Sequence, residues 1–419
     1  MGLKRVVITG LGVISPIGND IETVWKNAVE GNSGAGPITH FDASKFKTQF
    51  ACEVKNFDAL SFIDRKELRK LDTFSQFSVY AANQAINNSK LKFEEEDRNM
   101  IGVIWGSGMG GFRTFQDEMR DYFALGTPKF NPFLIPRVIT NIAGAYISII
   151  HGLHGVNFCT TSACASSAHA ICEAYNYIRL GKANIILAGG AESAIEESGV
   201  GGFNAMHALS TRNDSPATAS RPFSKSRDGF VLGEGAACLV LEDLEHALKR
   251  NAHIYAEIVG TGLSADAYHM VAPDPEGNGA TLVMNNAISD ANLKPSDIDY
   301  INTHGTSTPL GDIAEAKAIE EVFGQHAYKL SISSTKSVTG HLLGAAGAFE
   351  LLVSVLAMQH SMVPPTINHE AEDIDEAINP RLDFTFNTAK QRQINYALSN
   401  SFGFGGHNAS IIVRNAALI

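Results

Sequence analysis

The stretch Phe158-Cys-Thr-Thr-Ser-Ala-Cys-Ala-Ser-Ser-Ala-His169 decides how the rest of the chain is read. Val156 to Phe158 end a short apolar segment, and a helical pattern starts at Cys164. From Ala165 to Leu180, the residues Ala168, Ile171, Cys172, Tyr175 and Ile178 recur at three- and four-residue spacing, and Gly181 supplies a closing cap. Cys164 therefore stands on a strand-to-helix turn, the joint from which α/β folds are built. An arbitrary free cysteine is a small buried core residue. At a helix N-terminus, unpaired N–H groups and the helix dipole favour the thiolate, which makes Cys164 the candidate nucleophile.

The same alternation runs through most of the 419 residues. Strands are expected near 5–9, 101–105, 184–188, 236–241, 300–302, 330–333 and 410–413. Helices are expected near 22–30, 74–88, 165–180, 280–291, 311–323 and 345–358, giving an α/β architecture with mainly parallel sheets. The two halves echo each other. The run from Phe230 to Leu241 lines up with that from Phe402 to Val413, and the turn at Cys164 resembles the segment from Leu330 to Phe349. A duplicated unit follows, with residues 1–250 carrying the cysteine and 251–419 carrying two loop histidines.

Composition narrows the function. A net charge of −11 argues against broad nucleic-acid binding. No run is read as approaching the about 18 apolar residues of a membrane span. Lys4 to Gly10 already form a buried strand and its turn, so no leader is expected. Five cysteines without a CxxC pair suit reduced thiols and a cytoplasmic location.

Two further turns carry polar chemistry. Asn302-Thr-His-Gly-Thr-Ser-Thr-Pro-Leu-Gly-Asp312 places His304 after a strand, and Ser334-Thr-Lys-Ser-Val-Thr-Gly-His341 offers Lys336 and His341 ahead of a helix. Ligands collect beyond the carboxyl ends of strands, where these turns converge. A cysteine and two histidines suit acyl transfer through a thioester, the imidazoles donating to an oxygen that acquires enolate charge. A fourth turn, Ser399-Asn-Ser-Phe-Gly-Phe-Gly-Gly-His-Asn408, lets backbone approach a ligand. The N–H groups of Phe404 and Cys164 are the candidate oxyanion hole.

These four motifs, in this order and spanning nearly the whole chain, closely resemble the β-ketoacyl-acyl-carrier-protein synthases of the thiolase superfamily, type II being most similar. The resemblance implies a duplicated thiolase-like fold, layered α/β with two mixed sheets around central helices, and a homodimer. It implies decarboxylating Claisen condensation of an acyl thioester with malonyl-acyl-carrier protein, in fatty-acid elongation. A polyketide or specialised ketosynthase, or a non-catalytic chain-length partner subunit, is the alternative. Cys164 would be acylated, His304 and His341 would bind the malonyl thioester, and Lys336 would order the site electrostatically with Asp312 or Glu315 as its partner. Thr306 and Thr308 match positions that contact the pantetheine arm, and Phe404 matches the gate residue.

The resemblance also assigns the acyl pocket to Met109, Gly199, Phe203 and Phe402, and Met109 points to medium and long chains. Leu134 stands where a familiar type II pattern has Phe reaching across the dimer. No cofactor is required. Asn302, Glu350, Ser399 and Asn400 match residues that hold a structural sodium or potassium in some relatives, a plain hydrogen-bond network being the alternative. Lys66, Arg69 and Lys70 form a basic helical face, which is either a solvated surface or, as the resemblance implies, a dock for the acidic carrier protein. His207 stands where a close relative presents a docking Arg, which makes that contact weaker or pH-sensitive.

Overall fold

The computed structural model describes residues 2–419. Its centre is a ten-stranded sheet formed by Val6–Ile14 (β1), Ile101–Gly106 (β2), Asn157–Thr160 (β3), Ile185–Glu192 (β4), Gly235–Asp243 (β5), Ala256–Ala265 (β6), Tyr300–Asn302 (β7), Ser331–Ser333 (β8), Tyr396–Gly403 (β9) and His407–Asn415 (β10). The strand order is β8-β7-β9-β10-β6-β1-β5-β4-β2-β3. Cut between β6 and β1, it falls into two five-stranded mixed halves. From the seam outward one reads 1-5-4-2-3 and the other 6-10-9-7-8, the same path raised by five. The ladder that joins the half-sheets pairs Val6 with Ile258, Val7 with Glu257 and Ile8 with Ala256.

The sheet is less parallel than the sequence led us to expect. The β4–β2, β2–β3, β9–β7 and β7–β8 ladders are parallel, whereas β5 and β10 run antiparallel to both neighbours.

The helices of at least nine residues are Ile21–Glu30 (α1), Thr73–Ser89 (α2), Phe112–Leu125 (α3), Ile142–His151 (α4), Ser166–Arg179 (α5), Glu197–Ala205 (α6), Asn278–Asp290 (α7), Pro309–Phe323 (α8) and Ala346–His360 (α9). Period-two alternation along the strands sorts them into layers. Ile104, Ile186, Ala188, Ala409 and Ile411 turn inward onto α5 and α9, which share one core. Val103, Trp105, Ile185 and Leu187 turn outward under α2 and α4, and Ile301, Leu398 and Ile412 turn outward under α7 and α8. Both half-sheets thus cover one central helix pair, and each carries its own outer helices.

Leu343–His360, which includes α9, is long and apolar enough to cross a membrane by length and composition, contrary to the expectation that no run approaches this. Fully 89% of it is buried inside the protein, where a helix apolar on every side belongs.

Candidate active site

Cys164 sits in a 3₁₀ turn, Ala163–Ala165, between β3 and α5, with a buried side chain. Ala163 has φ +50°, a conformation that alanine adopts at a cost. The small hydroxylated residues around it hold that shape. Ser166 Oγ donates to the Ala163 carbonyl at 2.7 Å and accepts from the Ser162 N–H at 2.9 Å. Ser162 Oγ meets His169 Nδ1 at 2.5 Å, and Thr160 Oγ1 donates to the Ser166 carbonyl at 2.7 Å. The related turn Leu343–Ala345 precedes α9, and Leu343 repeats the left-handed backbone at φ +48°.

The convergence of the three polar turns is observed. The sulfur of Cys164 and ring nitrogens of His304 and His341 lie within 4.8 Å of one another. The two imidazoles stand nearly perpendicular, with centroids 5.3 Å apart and an interplanar angle of 84°. His304 leaves the end of β7, where Glu315 on α8 accepts from the backbone N–H groups of His304 and Gly305 at 2.9 and 2.8 Å. His341 is fixed through its backbone, which donates to the Val231 carbonyl at 2.7 Å. Nδ1 of His304 and both ring nitrogens of His341 make no hydrogen bond to any described residue. Buried donors without protein partners are suited to a substrate oxygen.

Lys336 is 1% exposed and ion-paired with Glu350, which corrects the expected partners. Asp312 is instead committed to Arg227 at 3.3 Å and to the Phe223 N–H at 2.8 Å, and Glu315 to the amides below His304. Burial drives both histidines well below their ordinary pKa, and the Lys336 charge pushes the same way. Both imidazoles are therefore neutral. Burial also pushes the Cys164 thiol up to about 12, against the pull of Lys336 and of the backbone N–H groups of Phe404 and Cys164. The helix N-terminus alone does not make a resting thiolate, as the sequence had suggested. Those two N–H groups are directed at the sulfur, beside which the oxygen of an acyl group on Cys164 would lie.

Gly403 allows this approach: a Cβ there would stand 2.5 Å from the Ser162 carbonyl oxygen and 3.3 Å from the Cys164 nitrogen. The site opens into a cavity of 540 Å³ lined by Met109, Phe203, Thr306, Thr308, Phe402 and Phe404, among others. Thr306 and Thr308 share a hydroxyl contact of 3.0 Å along it. His207 also lines it and is exposed.

Other expected residues lie elsewhere. Gly199 does not line the cavity; it is buried in α6, where a Cβ would strike the Ala194 carbonyl oxygen at 2.2 Å. Leu134 does not line it either, and opens the short helix Leu134–Val138. The basic face is smaller than its sequence suggests, because its helix spans only Arg65–Leu68. Lys66 and Arg69 are exposed, but Lys70 is bound to Glu67 at 2.5 Å.

Two contributors carry no motif in the sequence. Phe230 packs edge-on against His341 at 5.4 Å and lines the cavity, yet in the sequence it is one apolar residue before a strand. Glu192, at the end of β4, is fully buried and accepts from Ser107 Oγ and from the Gly108, Met109 and Gly344 amides at 2.8–3.1 Å. It ties the loop under Met109 to the turn after His341. A carboxylate inside the apolar run Ile185-Ile-Leu-Ala-Gly-Gly-Ala-Glu192 was the available signal.

Asn302 Oδ1, the second Glu350 oxygen and Ser399 Oγ are buried without partners among the described residues. Asn400 differs, since its amide donates to Glu315 at 3.1 Å and its oxygen accepts from Ser410 at 2.6 Å.

Two family models match the sequence: "Beta-ketoacyl synthase, N-terminal domain" over residues 3–247 and "Beta-ketoacyl synthase, C-terminal domain" over residues 255–370. A protein of Coxiella burnetii named 3-oxoacyl-[acyl-carrier-protein] synthase 2 is 50% identical, covering 99% of each chain. A β-ketoacyl synthase structure from Burkholderia phymatum superposes with a TM-score of 0.92 at 35% identity, over 99% of this chain and 100% of that one. A type II polyketide ketosynthase solved in complex with its acyl-carrier protein gives 0.87 at 31% identity, over the same shares.

Proposed function

We infer the role of each residue from one premise: the chain belongs to the β-ketoacyl synthase family. It is an acyltransferase that condenses an acyl thioester with malonyl-acyl-carrier protein in fatty-acid elongation. Cys164 Sγ attacks the acyl carbonyl; the new S–C bond forms as the carrier's sulfur leaves with the proton the thiol gives up. His304 and His341 then donate N–H bonds to the thioester oxygen of the malonyl group. The bond to its carboxylate breaks, carbon dioxide departs, and the electron pair remains as an enolate held by both imidazoles. The enolate carbon attacks the acyl-Cys164 carbonyl. The tetrahedral oxyanion rests on the Phe404 and Cys164 N–H groups until the C–S bond breaks, and the sulfur leaves as a thiolate that takes up a proton from solvent to restore the thiol.

The observation that carries this reading is a pair of neutral, buried imidazoles with free ring nitrogens, within 4.8 Å of the nucleophile. One donor removed from such a site costs about 3 kcal/mol of transition-state stabilisation. His304→Ala and His341→Ala should each slow release of carbon dioxide from malonyl-acyl-carrier protein by about a hundredfold, while Cys164 still takes up an acyl group. Equal loss of both steps would contradict the division of labour.

The matched strand order of the half-sheets supports two domains divided near residue 250. Lys66 and Arg69 take the acidic carrier. A second copy covers the apolar face between α3 and β3, where Phe123 is 77%, Ile135 66% and Ile149 70% exposed. Asn302, Glu350 and Ser399 fit a monovalent cation through their unpartnered oxygens, which would neutralise charge around Glu350; the Asn400 side chain is already committed. Melting at higher temperature in potassium or sodium than in a bulky organic cation supports that site, and equal melting removes it.

A further inference from the structure

Cys164, His304 and His341 have a second property that condensation does not use. One sulfur and two ring nitrogens lie within 4.8 Å of one another, on side chains that are 7%, 9% and 2% exposed. A soft sulfur with two imidazoles is a donor set that selects zinc and its thiophilic neighbours, whereas magnesium and calcium take oxygen. Three protein donors and one open position also make up the zinc sites that exchange a fourth ligand. Here the open side is the cavity, which all three residues line. A tetrahedral zinc ion holds sulfur and nitrogen donors about 3.5 Å apart, so the widest gap closes by at most roughly 1.3 Å. Side-chain rotation supplies that movement, because no hydrogen bond to a described residue holds His304 Nδ1 or either nitrogen of His341. No partner dictates which nitrogen of His341 bears the proton and which the lone pair. Both rings are neutral, so each has a lone pair to give.

Lys336 repels a dication as it repels a protonated imidazole. Its ion pair with Glu350 and a metal–thiolate bond offset that charge, and a hard ion would gain nothing from the sulfur. We propose that the resting site also binds a thiophilic divalent ion of the zinc class, held by Cys164 Sγ and one nitrogen each of His304 and His341. The metal–sulfur bond forms as the thiol proton passes to solvent. The ion is an inhibitor and not a cofactor: it engages the nucleophile's electron pair and both enolate donors at once. An acyl group on Cys164 removes the thiolate and with it the site, so metal and acyl-carrier protein compete. That competition rests on the reading that Cys164 is acylated; the metal site does not.

Cobalt(II) is the probe, because tetrahedral cobalt absorbs in the visible and a cobalt–thiolate bond adds a near-ultraviolet charge-transfer band. Titration of the full-length protein should give both bands; zinc should abolish them, and excess magnesium should not. Cys164→Ser should lose the charge-transfer band. His341→Ala should weaken binding by at least about tenfold, the loss that even an outer partner of a metal ligand causes. Protein charged from acyl-acyl-carrier protein, with the Cys164 adduct confirmed by intact mass, should show neither band. Absent bands in the folded wild type, or a charge-transfer band that survives in Cys164→Ser, overturns the metal site and leaves the condensing activity standing. Bands retained by the acylated protein overturn the competition. A wild type that gives the bands but takes up no acyl group overturns the proposed function and leaves the metal site.

Discussion

Lys336 is the charge on which the site's electrostatics turn. It sits within the core, pairs with Glu350, and pushes the Cys164, His304 and His341 pKa values downward. For the histidines, a folded pKa below the ordinary 6.5 means the neutral donors persist as pH falls through that value. Malonyl decarboxylation by the wild type should therefore stay level through pH 6.5 and decline only below it. Removing the cation takes away one of the causes that lower these values. In Lys336→Ala the declining limb should move to higher pH, and Lys336→Arg should restore it. A limb that stays in place in Lys336→Ala would show that burial alone sets the imidazoles. The same removal strands Glu350 in the core, where breaking a buried pair costs roughly 3–5 kcal/mol, so melting temperature should fall too.

At the scale of elements, the basic turn tests carrier recognition. Lys66, within a four-residue helix, and Arg69, at its end, are exposed, while Lys70 is bound to Glu67. Lys66→Glu combined with Arg69→Glu should raise KM for the acyl-carrier protein about tenfold with kcat kept, and Lys70→Ala should do little. Unchanged KM in the double variant would move the docking surface elsewhere, with the mouth around His207 as the next place to look.

Legibility in the sequence followed packing. Strands apolar on both faces, such as β1, β4 and β5, were readable, and so were helices with one clear buried stripe. β6 does not read as a strand because Gly260 and Gly262 look like turn residues, whereas they let α7 approach its backbone. β9 does not read as a strand because Ser399, Asn400 and Ser401 are polar, although all three are buried. α3 shows apolar residues on an exposed side, including Phe115, Phe123 and Leu125, so its periodicity has no core to point at within one chain. The reacting residues were legible because their motifs carry them. Their pairing was not: Lys336 with Glu350, fourteen positions on and a helix away, is set by packing.

At the scale of the whole molecule, two copies of one strand path close around two central helices, and each half brings part of the chemistry. The nucleophile stands at the start of α5, and both histidines come from the second half. The exposed apolar side chains of 112–160 predict a second copy packed on this face. Phe123→Asp combined with Ile135→Asp should convert a sedimenting dimer into a monomer of 44.9 kDa, and an unaltered mass in the variant would refute that face. The central claim is that one chain carries an acyl group on Cys164 and then joins it to a malonyl-derived unit. Intact mass of the protein after mixing with acyl-acyl-carrier protein, before and after adding malonyl-acyl-carrier protein, reads both steps. The account predicts an adduct on Cys164 that disappears as carbon dioxide and a ketoacyl product two carbons longer form; a folded protein that gains no adduct with any acyl chain would contradict it.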